Sequence, residues 1–255
     1  MDIENLSFSR IDVLKEKIDA HMPLSPSLTK NLLDNLIVDW TYNSNAIEGN
    51  SLTLTETKVV LEYGITVNGK PLKDHLEAVN HEKAIYHLLD LAKKQNPLTE
   101  FDIRSLHHLI LKGIDDKNAG VYRKEKVIIT GARHVPPSYV QVLALMEKLI
   151  IDFNGEWKKY HPIVRASLLS GEFVKIHPFV DGNGRTSRLL LNLSLMRDGY
   201  LPIVIQNKDR LRYIESLDKA HFENDYSQYV KFISECEMDK ENWLLSDILE
   251  IQPEI

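Results

Sequence analysis

Between residues 176 and 188 the chain reads Ile-His-Pro-Phe-Val-Asp-Gly-Asn-Gly-Arg-Thr-Ser-Arg, a stretch in which most side chains have a chemical use. His177 offers an imidazole that can take a proton near neutral pH, and Pro178 stiffens the backbone beside it. Asp181 is a carboxylate of the kind that holds a Mg²⁺ arriving with phosphates. Gly182 and Gly184 allow a tight path into a helix N-terminus, where unpaired N–H groups and the helix dipole attract an anion. Arg185 and Arg188 stand three apart and so share a helix face. Two guanidinium groups at a helix N-terminus oppose the dipole unless an anion lies there, so the spacing asks for a polyphosphate. Phe179 and Val180 read as apolar anchors for the loop. Each feature alone has a plain explanation: a packed histidine, a glycine turn, a solvated basic face. Their coincidence in one segment points to a phosphotransfer-type site.

Such a loop needs helices to carry it, and the pattern supplies them. Leu28, Leu32, Leu33, Leu36, Ile37 and Trp40 form one apolar stripe behind a Ser25-Pro26 start. Amphipathic helices are predicted over 75–94, 99–112 and 139–153, the second opening on a Thr99 cap and ending at Gly113. Helices over 162–175 and 185–197 flank the loop, and two more follow over 209–220 and 226–234. The β-branched run 126–130, the turn at 131–133 and the return at 134–135 predict a short β-hairpin in an otherwise all-α protein, stopped by Pro136-Pro137. A hairpin of this size needs support from the rest of the fold, and it suits a flap over a site.

With 255 residues, 43% hydrophobic and 27% charged, the chain can bury a sizeable core. A formal net charge of −6 argues against nucleic acid or an anionic membrane as the main partner. The lone Cys236, in an acidic context, excludes an intramolecular disulfide and reads as a spectator. The opening residues MDIENLSFSR lack the pattern of a secretory signal, and no apolar run approaches the ~20 residues of a membrane helix, so a cytoplasmic location is expected.

The loop resembles the Fic family signature His-Pro-Phe-x-Asp-Gly-Asn-Gly-Arg-x-x-Arg at every specified position. The likeness extends from about 98 to 233 and includes Gly120-Val121-Tyr122-Arg123 ahead of the expected flap. It implies an all-helical bundle with a β-hairpin flap, and transfer of AMP from ATP to a Ser, Thr or Tyr hydroxyl of a target protein. By that resemblance His177 is the general base and Asp181 holds Mg²⁺. Gly182, Asn183 (side chain included), Gly184 and Arg185 cradle the α- and β-phosphates, and Arg188 grips the γ-phosphate. Tyr213, with His221, would lie near the adenine. Val127, Ile128, Ile129 and Thr130 would dock the target by main-chain pairing.

Upstream, Ser44-Asn45-Ala46-Ile47-Glu48-Gly49 fits the family's inhibitory pattern, in which the glutamate pairs with the second arginine of the signature, here Arg188. Ser44 and Glu48 share a helix face and Gly49 ends that helix. The resulting expectation is an autoinhibited AMP-transferase, divided as an N-terminal region 1–97, a Fic domain 98–238 and a tail 239–255, with a homodimer expected on general frequency. Two alternatives stand beside it: removal of AMP with Glu48 positioning a water, or a non-catalytic regulator using the fold for binding.

Overall fold

The computed structural model describes residues 6–94 and 96–251. The opening MDIEN of the segment inspected for a secretory signal and the last residues of the expected tail therefore lie outside the described residues. The helices are α1 (Ser9–Asp19), α2 (Pro26–Ile47), α3 (Leu54–Tyr63), α4 (Leu72–Lys93), α5 (Glu100–Leu111), α6 (Val142–Asn154), α7 (Pro162–Ile176), α8 (Asn183–Arg197), α9 (Arg210–Glu223) and α10 (Ser227–Ile251). None among the described residues is long and apolar enough to cross a membrane.

The helix boundaries follow local chemistry. Ser25 caps α2 by accepting from the Leu28 N–H at 3.4 Å, with Pro26 in the first turn, where its missing N–H costs nothing. Thr99 and Asp102 form a reciprocal capping box on α5, and Thr53 and Glu56 do the same for α3. Helix α10 continues without a break through the position where a tail was expected to begin.

Helices α7 and α8 form an antiparallel hairpin at the centre, with the signature loop as its turn. The main apolar cluster joins Ile37 and Trp40 of α2 and Ile85 and Leu88 of α4 to Ile103, Leu106, Phe173, Phe179 and Leu189. It therefore spans residue 97, and the two regions on either side share one core. A second cluster packs α7, α9 and α10 around Tyr213, Tyr226 and Tyr229. Gly171 lets α10 approach α7: a Cβ there would lie 2.5 Å from Tyr226 Cε1.

The expected hairpin is not formed. Among the described residues 126–135 contain no strand, and the one backbone bond is a turn in which Ala132 N–H donates to Ile129 O at 3.2 Å. The return arm is only His134-Val135 before two prolines that lack an N–H, too short for a ladder. Side chains hold the excursion instead. Arg133 donates to Asp218 on α9 through its backbone N–H at 2.7 Å and its Nε at 2.6 Å, and His134 Nε2 donates to Lys175 O at 3.0 Å.

Candidate active site

The signature loop is fastened from inside. Phe179 is fully buried, a burial that contributes about 1.5–3 kcal/mol. The His107 ring of α5 stacks on it at 3.5 Å, nearly parallel, and Tyr122 and Phe173 fill its other sides. His107 also ties the loop by hydrogen bonds. Its Nδ1 accepts from Gly120 N–H at 2.9 Å, which leaves Nε2–H to donate to the Asp181 carbonyl at 2.8 Å. Both bonds need a neutral ring, and burial holds the His107 pKa down to about 4.

Arg123 is a second fastener. Its buried guanidinium donates to the carbonyls of His177 at 2.8 Å, Glu125 at 2.9 Å and Pro137 at 2.6 Å, while its backbone N–H donates to Pro178 O at 2.9 Å. One side chain thus links the excursion to the loop. Burial without a carboxylate partner lowers the arginine's pKa.

His177 ends α7 in the left-handed region, φ 51°, unusual for a residue with a Cβ and held here by the Arg123 contacts. Its Nδ1–H donates to Val174 O at 3.3 Å, so Nε2 carries the free lone pair. Burial, opposed by that backbone bond and reinforced by Arg123, brings its pKa down to about 4. The imidazole is neutral at pH 7 and able to accept a proton.

Gly182 takes φ 75° at the N-cap of α8, and its N–H donates to Asp181 Oδ1 at 2.6 Å. The first N–H groups of α8 have no intrahelical acceptor, and Gly184 in this first turn lines the adjoining cleft. The Asn183 side chain, expected on the phosphates, works inside the loop. Its Oδ1 accepts from Phe179 N–H at 3.0 Å and its Nδ2 donates to Phe179 O at 2.9 Å. Both ends of the amide thus bind the loop's own backbone, and Nδ2 keeps a second N–H beyond that bond. Asp181 keeps a half-exposed carboxylate at the loop mouth, with Oδ2 3.6 Å from Arg185 Nη2. One open carboxylate suits an ion whose other ligands are phosphate oxygens and water, and no cluster of three or more His, Cys, Asp or Glu suited to a metal occurs among the described residues.

The end of α2 closes over this helix start. Arg188, fully buried on α8, donates from Nε to Ser44 Oγ at 3.0 Å and from Nη2 to Ser44 O at 2.7 Å and Glu48 Oε1 at 2.8 Å. Gly49 follows with φ 93° and turns the chain away. The Glu48 carboxylate sits against Gly184, where any Cβ would collide with Oε1.

Beside it opens a cleft of about 280 Å³, lined among others by Glu48, Ile129, Thr130, His177, Arg188 and Tyr213. Tyr213 is buried with its ring 5.9 Å from the Arg188 guanidinium. His221 also lines the cleft; its Nε2–H donates to Gly171 O at 2.9 Å and burial takes its pKa to about 3. Ile129 and Thr130 face the cleft, whereas Ile128 is 80% exposed. The sequence reading missed His107 and the α4 face that carries Glu77 and His81, and it named Arg123 only as part of the family likeness, without its role as a fastener. His81, fully buried, is held neutral by burial and by the charges of Arg188 and Arg185. Histidines on an amphipathic helix look alike in sequence whether they pack or act, so only the contacts distinguish them.

The Fic/DOC family profile matches residues 97–195. The chain is 34% identical over 252 residues to the protein adenylyltransferase Fic of Drosophila virilis, covering 96% of this chain and 51% of that protein. It thus spans about half the length of the curated relatives it matches. Among solved structures, a Fic-domain-containing signalling protein from Bacteroides thetaiotaomicron superposes with a TM-score of 0.86 at 32% identity, covering 92% of this chain and 96% of that one. Fic-1 from C. elegans superposes with a TM-score of 0.83 at 29% identity, covering 94% of this chain and 70% of that one.

Proposed function

The chain belongs to the Fic/DOC family, and we propose that it transfers AMP from ATP to a Ser, Thr or Tyr hydroxyl of a target protein, restrained by its own Glu48. The observation that carries the reading is the Glu48 carboxylate lodged against Gly184 and paired with Arg188. A carboxylate is the group that an anion cradle at a helix start attracts when no phosphate is present.

In this reading the polyphosphate lies along the free N–H groups at the start of α8, with Arg185 and Arg188 beside it. The target hydroxyl gives its proton to His177 Nε2 as its oxygen bonds to the α-phosphorus; the bond to the leaving pyrophosphate breaks and carries the electron pair away. The phosphates raise the His177 pKa by their negative charge and so strengthen it as a base. Asp181 would help hold a Mg²⁺ that arrives with the phosphates, and such an ion would supply neutralising charge. The Tyr213 and His221 end of the cleft is the place for the adenine. The target docks along 127–130, where only the Ile129 carbonyl is bonded among the described residues and the other main-chain groups are open to pairing.

Removal of AMP is the second reading, favoured by one observation: Glu48 lines the same cleft as His177 while 38% exposed, placed to orient a water. The experiment is incubation of wild type and Glu48→Gly with labelled ATP and Mg²⁺, followed by detection of AMP on protein. Strong labelling by the variant and weak labelling by wild type supports autoinhibited transfer. No labelling by either, together with loss by the variant of AMP release from a pre-modified protein, would replace it with the reverse reaction.

A further inference from the structure

Arg185 is 2% exposed, and a buried guanidinium without a partner is costly. Its partner is Glu77 on α4, 7% exposed, whose Oε1 lies 3.0 Å from Arg185 Nη1. The approach is off the line of a hydrogen bond: Nη1 and Nε have no hydrogen-bond acceptor, and Nη2 is 3.6 Å from Asp181. Glu77 therefore holds the arginine by charge from the buried Nη1 side, while Nη2 lies beside Asp181 at the loop mouth. Lys73, 3.6 Å from the same oxygen, is largely exposed and adds little.

The carboxylate is itself held. Its Oε2 accepts from Asn50 Nδ2 at 2.9 Å, and that amide also donates to Asp74 O at 3.0 Å while its Oδ1 accepts from Leu52 N–H at 3.0 Å. Asn45 Nδ2 reaches the Glu77 carbonyl at 3.4 Å. Asn50 stands two residues beyond Glu48, in the turn that leaves α2. The segment that obstructs the anion site at position 48 thus supports it at position 50.

We propose that Glu77 is a positioning residue for the nucleotide: aimed by Asn50, its buried carboxylate fixes the Arg185 guanidinium in the place from which it meets the phosphates. This rests on the nucleotide reading above. A purely structural ion pair would stabilise the fold and affect every ligand alike. A positioning role acts on phosphates alone, which separates the two.

The test is binding of ADP and of adenosine to the full chain in the Glu48→Gly background, with and without Glu77→Gln. The neutral amide keeps the size of the side chain and removes the charge that holds Arg185. ADP affinity is expected to fall about tenfold or more, the worth of one charge-assisted contact, with adenosine affinity unchanged. Unchanged ADP affinity, or equal losses for both ligands, would overturn the proposal. Should Glu77→Gln not fold, Asn50→Ala decides by the same comparison: a loss of about threefold or more confined to ADP supports the proposal, and unchanged ADP affinity overturns it. Failure of the Glu48→Gly protein itself to bind ADP would sink the nucleotide reading, and this inference with it.

Discussion

Arg188 Nη2 donates at once to Glu48 Oε1 at 2.8 Å and to the Ser44 carbonyl at 2.7 Å, so a single guanidinium joins the end of α2 to the start of α8. The Ser44 contacts are buried and internal to the helix end, while Glu48 is partly open to the cleft. Loss of Glu48 therefore frees one donor of Arg188 toward the cleft without releasing the arginine from its seat. This asymmetry suits a brake that can lift while the nucleotide site stays assembled.

Glu48→Gly should accordingly raise AMP transfer by about ten- to a hundredfold, since one charge-assisted hydrogen bond contributes about 1.5–3 kcal/mol and about 1.4 kcal/mol is a factor of ten. The gain should disappear when Arg188→Ala is added, because both changes act on one contact and cannot add. Labelling by the double variant as strong as by Glu48→Gly alone would show that Arg188 is not the shared partner.

His177→Ala in the Glu48→Gly background should leave ATP binding nearly intact and cut transfer by about 10²–10⁴-fold, the usual worth of a positioned base. Loss of ATP affinity in step with activity would make His177 a structural end-cap of α7. Its left-handed backbone gives that alternative real weight, so Asn, which tolerates the same conformation, is the sharper replacement. His177→Asn should keep the fold and ATP affinity and still lose transfer.

The helices, their order and the loop were legible in sequence because each depends on local signals: the Leu28–Trp40 stripe, the Ser25 and Thr99 caps, and the glycines around Asn183. Helices α1 and α3 escaped because charged residues dilute the spacing of Ile11, Leu14 and Ile18, and because only the Thr53–Glu56 cap marks the second. The hairpin failed for the opposite reason. A β-branched run at 126–130 is a local preference, and strand formation depends on a partner that Pro136 and Pro137 do not provide. Motif residues in one loop could be assigned as a set, yet Asn183 turned inward to Phe179. Supporting residues such as His107 and Glu77 lie far from the loop in sequence and carry no spacing signal, and Arg123 was legible only as part of a family likeness, so their roles emerge only from contacts.

His107 supplies a pH test with a defined sign. Its folded pKa, about 4, lies below the ordinary histidine value near 6.5, so the unfolded chain binds more protons between them. Its contribution to stability is complete above about pH 6.5 and is lost as pH falls toward 4, at a slope of about 1.4 kcal/mol per pH unit within that window. His107→Phe keeps the stack on Phe179 but leaves Asp181 O and Gly120 N–H without partners. It should cost about 2–4 kcal/mol at pH 7 in denaturant unfolding and should reduce, by the share of one histidine, a pH dependence between 4 and 6.5 to which His177 and His221 also contribute. A variant with the wild-type pH slope would remove His107 from the account of loop stability.

The excursion at 126–135 is predicted to act as a docking edge even though it forms no strand of its own. Ile129 lines the cleft and its carbonyl closes the turn, so a change there would disturb the nucleotide and the target together. Ile128, 80% exposed and clear of the cleft, isolates the main chain. Ile128→Pro removes one N–H and fixes φ, which should block pairing with an extended target segment while the Arg133–Asp218 and His134–Lys175 contacts keep the excursion in place. In the Glu48→Gly background this variant should bind ATP as tightly as its parent and modify a protein substrate at least tenfold more slowly, about the effect of losing one or two pairing bonds. Ile128→Ala, which removes the side chain and keeps the N–H, should lose little. Equal impairment by proline and alanine would move target recognition from the backbone to the Ile128 side chain, and impaired ATP binding by the proline variant would make the excursion part of the nucleotide site.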